Sequence, residues 1–254
     1  MRNQKPINHR KKHQHFWTIT ALILLALIAA FFAYTASYAR ADQSALDALG
    51  SDQTVSVSQT EYGYLFDGPS TDSALIFYPG GKVDERAYAQ LLRQIAAHGI
   101  DVCLVKMPFH LAVFGMNRAD QVMETESYQT WYIGGHSLGG AMAANYAAGH
   151  ASSLRGLILL AAYPTKPLSD DLSLLSIYGT EDGVLQMKAY ENGKQYWPSD
   201  AQELAIAGGN HAQFGNYGPQ SGDGAAKISA AEQQKETVEH IFAFLGESAV
   251  QPAA

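Results

Sequence analysis

Cysteine occurs once in this chain of 254 residues, at position 103, so no internal disulfide can form. Cys103 sits in Asp-Val-Cys-Leu-Val-Lys, a setting that suits a small buried hydrophobe in a strand better than a redox or catalytic thiol. Histidine never appears in a His-x-x-His or Glu-x-x-His spacing, so no catalytic metal is indicated and no cofactor is expected. No segment repeats along the chain. Basic residues are few and unevenly placed. Six of the 17 lysines and arginines (Arg2, Lys5, Arg10, Lys11, Lys12 and Arg40) lie in the first 41 residues, which hold no acid. The other 11 face all 24 aspartates and glutamates. That acidic balance argues against nucleic acid or an anionic membrane surface as the main partner.

The N-terminal part differs in kind from the rest. From Phe16 to Ala39 no residue is charged, and a helix of that length, at about 1.5 Å per residue, spans a ~30 Å hydrocarbon core. Arg10-Lys11-Lys12 just before it should stay cytoplasmic, which places the remainder of the chain outside. Two fates are open. A signal peptide would be cleaved after Ala39-Arg40-Ala41, whereas an apolar run longer than a signal core favours an uncleaved anchor. The organisation expected is a basic tail and membrane segment at 1–39, a polar linker at 40–53 and one folded domain at 54–248.

Within that domain, β-prone runs alternate with helical ones. Thr54–Ser58 and Tyr62–Phe66 read as an antiparallel opening pair, and Ala74–Tyr78 as a strand buried on both faces. Glu85–His98 places Tyr88, Leu91, Leu92 and Ile95 on one helical face. Val102–Met107, Leu154–Ala162, Leu172–Tyr178 and Glu203–Ile206 read as further strands, and Val184–Asn192 as a helix. The final helix begins at Ser229, with Glu232 completing a capping box, and turns Val238, Ile241, Phe242 and Leu245 inward. Such alternation implies an α/β fold, a mostly parallel sheet with helices on both faces.

Trp131–Gly140, Trp-Tyr-Ile-Gly-Gly-His-Ser-Leu-Gly-Gly, carries the chemistry. A strand that turns abruptly into an alanine-rich helix, with a serine at the apex, is a nucleophile elbow. Side chains at Gly135 and Gly139 would strike neighbouring backbone, and the helix that follows aims amides at an oxyanion. Two further strand ends add Asp182, in Gly-Thr-Glu-Asp, and His211, in Gly-Gly-Asn-His. The carboxyl ends of parallel strands share one edge, so loops after them can converge.

Three motifs, Tyr-Pro-Gly-Gly-Lys-Val at 78–83, Gly-Gly-His-Ser-Leu-Gly-Gly at 134–140 and Gly-Gly-Asn-His-Ala-Gln-Phe-Gly at 208–215, make the chain resemble an α/β-hydrolase. It is nearest to the α/β-hydrolase fold-5 group, related to dienelactone hydrolases, over roughly Thr54 to Gly246. The resemblance implies Ser137 as nucleophile, His211 as its base and Asp182 as the acid that orients His211, with Glu181 a close rival. It also implies an oxyanion hole made by the backbone amides of Leu138 and Gly81. Pro79 replaces the histidine common at that position, which leaves Lys82 as an alternative donor. Serine stands where dienelactone hydrolases proper would have cysteine.

Ser137 and Asp182 are too close in sequence for a large cap domain, so an open site is expected. Phe109, Leu111, Val113, Phe114 and Met116 either line an acyl pocket or pack a helix on the sheet. Phe214–Ala225 is a glycine-rich loop that either shapes the pocket or only connects. The expected function is an exported, membrane-anchored serine hydrolase acting on a small-molecule acyl substrate. An amide or peptide hydrolase with the same residues, and a non-catalytic binding protein on the same fold, are the alternatives.

Overall fold

The computed structural model describes residues 9–69 and 72–250. Arg2 and Lys5 of the expected basic tail lie outside the described residues. The chain divides after Ser37 into two compact units. The first contains one helix, α1 (His9–Ala36), whose stretch His15–Ala36 is long and apolar enough to cross a membrane. Trp17, Leu22, Leu25, Leu27 and Phe32 stand exposed on it. A helix that is apolar all round has no polar face to turn to water, and suits a membrane span or a signal segment alike.

The second unit opens with α2 (Gln43–Asp47), capped by the Asp42 carboxylate, which accepts from the Ala45 amide. Residues 40–53, where composition suggests a polar linker, therefore carry a short helix whose Ala45 is fully buried. Eight strands follow: β1 (Ser56–Gln59), β2 (Gly63–Asp67), β3 (Ser73–Tyr78), β4 (Asp101–Val105), β5 (Thr130–His136), β6 (Gly156–Leu160), β7 (Ser173–Gly179) and β8 (Gln202–Ile206). Their order in the sheet is β1-β2-β4-β3-β5-β6-β7-β8. β2 pairs antiparallel with both neighbours, and every other pairing is parallel.

Helices cover both faces: α3 (Ala89–Ala97), α4 (Arg118–Thr125), α5 (Leu138–Ala147), α6 (Met187–Gly193) and α7 (Ala230–Val250). Alternation along β3 divides the core. Leu75 and Phe77 join Leu91 and Ile95 of α3 and Val238 and Ile241 of α7 on one face, while Ile76 and Tyr78 meet Val122 of α4 and Ala143 and Ala147 of α5 on the other. At about 25 cal/mol per Å², each such aliphatic side chain withdrawn from water stabilises the fold by roughly 1.5–3 kcal/mol.

Local departures from expectation have local causes. Asp84 accepts from the Arg86 amide and starts a 3-10 turn at Glu85–Tyr88, so the expected helix becomes regular only at Ala89. The helix expected from Val184 starts at Met187, because the Val184 and Leu185 amides are taken by the Asp182 carboxylate. The capping box at Ser229 and Glu232 forms as expected, with reciprocal bonds of 2.8 and 3.2 Å. On α7, however, Phe242 is 48% exposed and Phe244 is buried in its place. Gln233, Gln234 and Thr237 are buried too, which turns the inward face away from residue 242.

Candidate active site

β5 ends at His136 and α5 begins at Leu138, so Ser137 alone makes the turn. Its backbone has φ 53 and ψ −123. A residue with a Cβ pays about 1–3 kcal/mol for such a conformation, and the packing around it enforces it. The Ser137 amide donates to Leu160 O at 2.9 Å, while Ser137 O accepts from Ala141 at the first turn of α5. A Cβ on Gly139 would overlap the carbonyl oxygens of Tyr78 and Pro79, and one on Gly135 would overlap Tyr78 O. Helix α5 can therefore sit against the end of β3 only with glycine at both positions. Its first-turn amides, that of Leu138 included, have no intrahelical acceptor.

The loops after β7 and β8 are stitched together. The Glu181 amide donates to Gly209 O at 2.8 Å, and the Gly208 amide to Thr180 Oγ1 at 2.8 Å. This brings Asp182 Oδ2 to 2.8 Å from His211 Nδ1, with both side chains almost wholly buried. Asp182 Oδ1 accepts from the amides of Val184 and Leu185 at 2.8 and 2.7 Å. Both carboxylate oxygens are thus committed, and the imidazole is held by one of them. Glu181 goes elsewhere. Its carboxylate takes the Lys227 ammonium at 2.8 Å, which depresses its pKa.

Ser137, Leu138 and His211 line one cavity of ≈ 250 Å³, walled by Ala141, Ala161, Ala162, Tyr163, Leu185 and Gln186. His211 Nε2 has no hydrogen-bond partner among the described residues. The five apolar residues of 109–116 are absent from this wall. Phe109, Val113 and Phe114 are instead 43%, 48% and 53% exposed, on two 3-10 turns at Pro108–His110 and Ala112–Phe114.

Gly81 lies against Leu138, since a Cβ there would come within 2.8 Å of Leu138 Cδ2. The Lys82 amide donates to His110 O at 2.7 Å, whereas the Gly81 amide makes no backbone hydrogen bond among the described residues. Ala39 braces this loop from outside. Its amide donates to Lys82 O and its carbonyl accepts from Asp84, both at 2.8 Å.

Four further residues hold the arrangement, and local pattern did not single out their roles. His136 is buried behind the serine, its ring 4.5 Å from that of His211. Burial, with His211 beside it, keeps the His136 pKa well below the usual imidazole range, so it stays neutral. Tyr88 Oη accepts from the Gly80 amide at 3.0 Å and lies 2.7 Å from His136 Nδ1. Burial raises the phenol pKa, so Tyr88 keeps its proton. Asp223, in the glycine-rich loop, accepts from the Gly183 and His211 amides at 3.1 and 3.2 Å and from Ala212 at 2.8 Å. It ties the loop of Asp182 to the loop of His211. Gln233 on α7 pairs with both backbone groups of Asn210, at 2.9 and 2.8 Å. His136 falls inside the elbow motif and Tyr88 on the apolar face read over Glu85–His98, but neither pattern announces a bracing role, and Gly-Asp-Gly at 222–224 reads as an ordinary turn.

A family model described as the alpha/beta hydrolase family matches residues 74–235. No curated protein matches the chain. Among solved structures, Est1E from Butyrivibrio proteoclasticus is similar at 13% identity and a TM-score of 0.55, covering 78% of this chain and 100% of that one. A membrane phospholipase A, described as a bacterial virulence factor, aligns at 12% identity and a TM-score of 0.56 over 96% of this chain and 99% of its own. Dienelactone hydrolase from Anabaena variabilis aligns at 10% identity and a TM-score of 0.54, over 74% and 97%. At such identities the likeness is one of fold.

Proposed function

The chain belongs to the alpha/beta hydrolase family, and from that premise we propose that it is a serine hydrolase cleaving an ester or related acyl bond through an acyl-enzyme. The observation that carries this reading is the buried Asp182–His211 pair, 2.8 Å apart, with His211 sharing a cavity with a serine forced to φ 53. His211 Nε2 takes the proton of Ser137 as Oγ attacks the acyl carbon. Asp182 keeps the other imidazole proton on Nδ1 and stabilises the cation that forms. The amides of Leu138 and Gly81 receive the oxyanion, since that of Lys82 is committed to His110 O. The intermediate collapses, the alcohol leaves with the proton from His211, and water then repeats the sequence to release the acid. A cavity of ≈ 250 Å³ falls below the ~300–1,000 Å³ of most ligand pockets. It suits the atoms beside the scissile bond rather than a whole large substrate.

The same reading retains α1 as an anchor, with the hydrolase domain outside the cytoplasm. Cleavage after Ala41 would remove Ala39, which bridges to Val83, and Tyr38, whose ring stacks on His110 at 3.8 Å. The loop carrying Gly81 would lose its outer support. The test is labelling by a serine-directed phosphonate, followed by a panel of esters and amides. Ser137→Ala is expected to abolish labelling and to cut kcat by about 10⁴–10⁶ while the protein stays folded. More than a tenth of wild-type activity in that variant would refute the assignment. Soluble protein whose N-terminus is Asp42 would refute retention of the anchor.

A further inference from the structure

We propose that the turns from Phe109 to Phe114 dock in the interface of the lipid bilayer, and that the site draws its ester from an amphiphile dissolved there; the second half rests on the hydrolase reading and both rest on the retained anchor. Three large apolar side chains, Phe109, Val113 and Phe114, are each 43–53% exposed within six residues. The rings of Phe109 and Phe114 pack edge to face at 5.7 Å and form a single apolar tip. Beside them runs a shallow groove of ≈ 440 Å³ lined in part by Val113, Phe114 and Met116. Phe109 and His110 both hold positive φ, 56 and 54, without being glycine. Strain of this kind persists only where the surroundings enforce it.

Chain connection selects the occupant. The apolar span ends at Ala36, and Tyr38 stacks on His110 at 3.8 Å. Two residues of extended chain reach about 7 Å. A spanning helix therefore delivers Tyr38, and with it the turn at His110, close to the membrane surface. The acidic balance of the domain offers no electrostatic attraction to a bilayer, so docking relies on the tether and on apolar insertion. The turn also touches the site. His110 O receives the Lys82 amide at 2.7 Å, next to Gly81, so a docked turn sets the oxyanion loop beside the lipid surface.

The test uses the full chain in phosphatidylcholine vesicles. Val113→Cys carries a nitroxide and Asp171→Cys serves as an exposed control. The native thiol does not compete, because burial pushes Cys103 up to about 12. The label at 113 is expected to collide with oxygen and to be shielded from a water-soluble nickel chelate, and the label at 171 to do the reverse. Equal accessibility at the two positions overturns the proposal. Shielding that vanishes on tenfold dilution of protein in lipid marks a second copy on this face, and overturns it as well. For the substrate, Val113→Asp is expected to slow hydrolysis of a long-chain ester held in the vesicles by about tenfold and to leave a short soluble ester unaffected. Equal effects on both esters overturn the lipid assignment. Failure of the hydrolase reading is separable, because Ser137→Ala would then lose neither activity while the label result stood.

Discussion

Asp182 and Glu181 are adjacent, equally charged, and opposite in surroundings, so substituting each in turn tests the chemistry sharply. In Asp182→Asn the side-chain oxygen remains in demand from two amides, Val184 at 2.8 Å and Leu185 at 2.7 Å. Placing the amide nitrogen there would set donor against donor twice. The nitrogen is therefore turned to His211 Nδ1, where it donates. The imidazole proton must then move to Nε2, and the ring can no longer take a proton from Ser137. A wrong tautomer in an otherwise intact site costs about 10⁴ in kcat, roughly 5 kcal/mol of barrier. Glu181→Gln changes only peripheral contacts, an ion pair to Lys227, whose side chain is 70% exposed, and an exposed 3.3 Å bond from Thr180 Oγ1 that a glutamine oxygen can still accept, so its rate should stay within about twofold, as expected for a solvent-screened pair. Initial rates on a soluble aryl ester measure both variants, with thermal unfolding as the check on folding. If Asp182→Asn keeps more than a tenth of the rate, or Glu181→Gln is the slower of the two, Asp182 is not the orienting acid.

Further outcomes follow from other contacts. Asp223→Ala removes the acceptor shared by the Gly183, His211 and Ala212 amides; kcat should drop by about 10–100-fold with KM little changed, as for a displaced base, and an unchanged kcat would count against this bracing. Gly139→Ala drives a Cβ into the carbonyls of Tyr78 and Pro79, so a loss of about 1–3 kcal/mol is expected, read as a fall in Tm; an unshifted Tm would show that the elbow has slack. Burial pushes the Cys103 thiol up to about 12, whereas an exposed thiol titrates near ~8.5. The unfolded chain therefore loses that proton first, and the contribution to stability, complete below pH ~8.5, is lost as pH rises beyond it. Tm should fall more gently between pH ~9 and ~11 in Cys103→Ala than in the wild type, and parallel curves would refute the burial argument.

What the sequence determines by itself is whatever a few neighbouring residues impose on one another. The elbow is legible because a strand, a serine and a helix start lie in ten consecutive residues, and the glycines at 135 and 139 are required by steric contact alone. The capping box at Ser229, the apolar face of α3 and the strand ends that carry Asp182 and His211 are local in the same sense. Tertiary structure decides what depends on partners distant in sequence. Glu181 is diverted by Lys227, 46 positions on, which leaves Asp182 facing His211. The Lys82 amide is consumed by a carbonyl from the turn at His110, and the loop is supported by Ala39, a residue that composition alone assigns to the membrane segment. Asp223 acts through backbone amides, so no spacing of side chains announces it. The apolar run 109–116 is neutral as a pattern. In the fold Phe109, Val113 and Phe114 are each 43–53% exposed, and none of the run lines the cavity of Ser137.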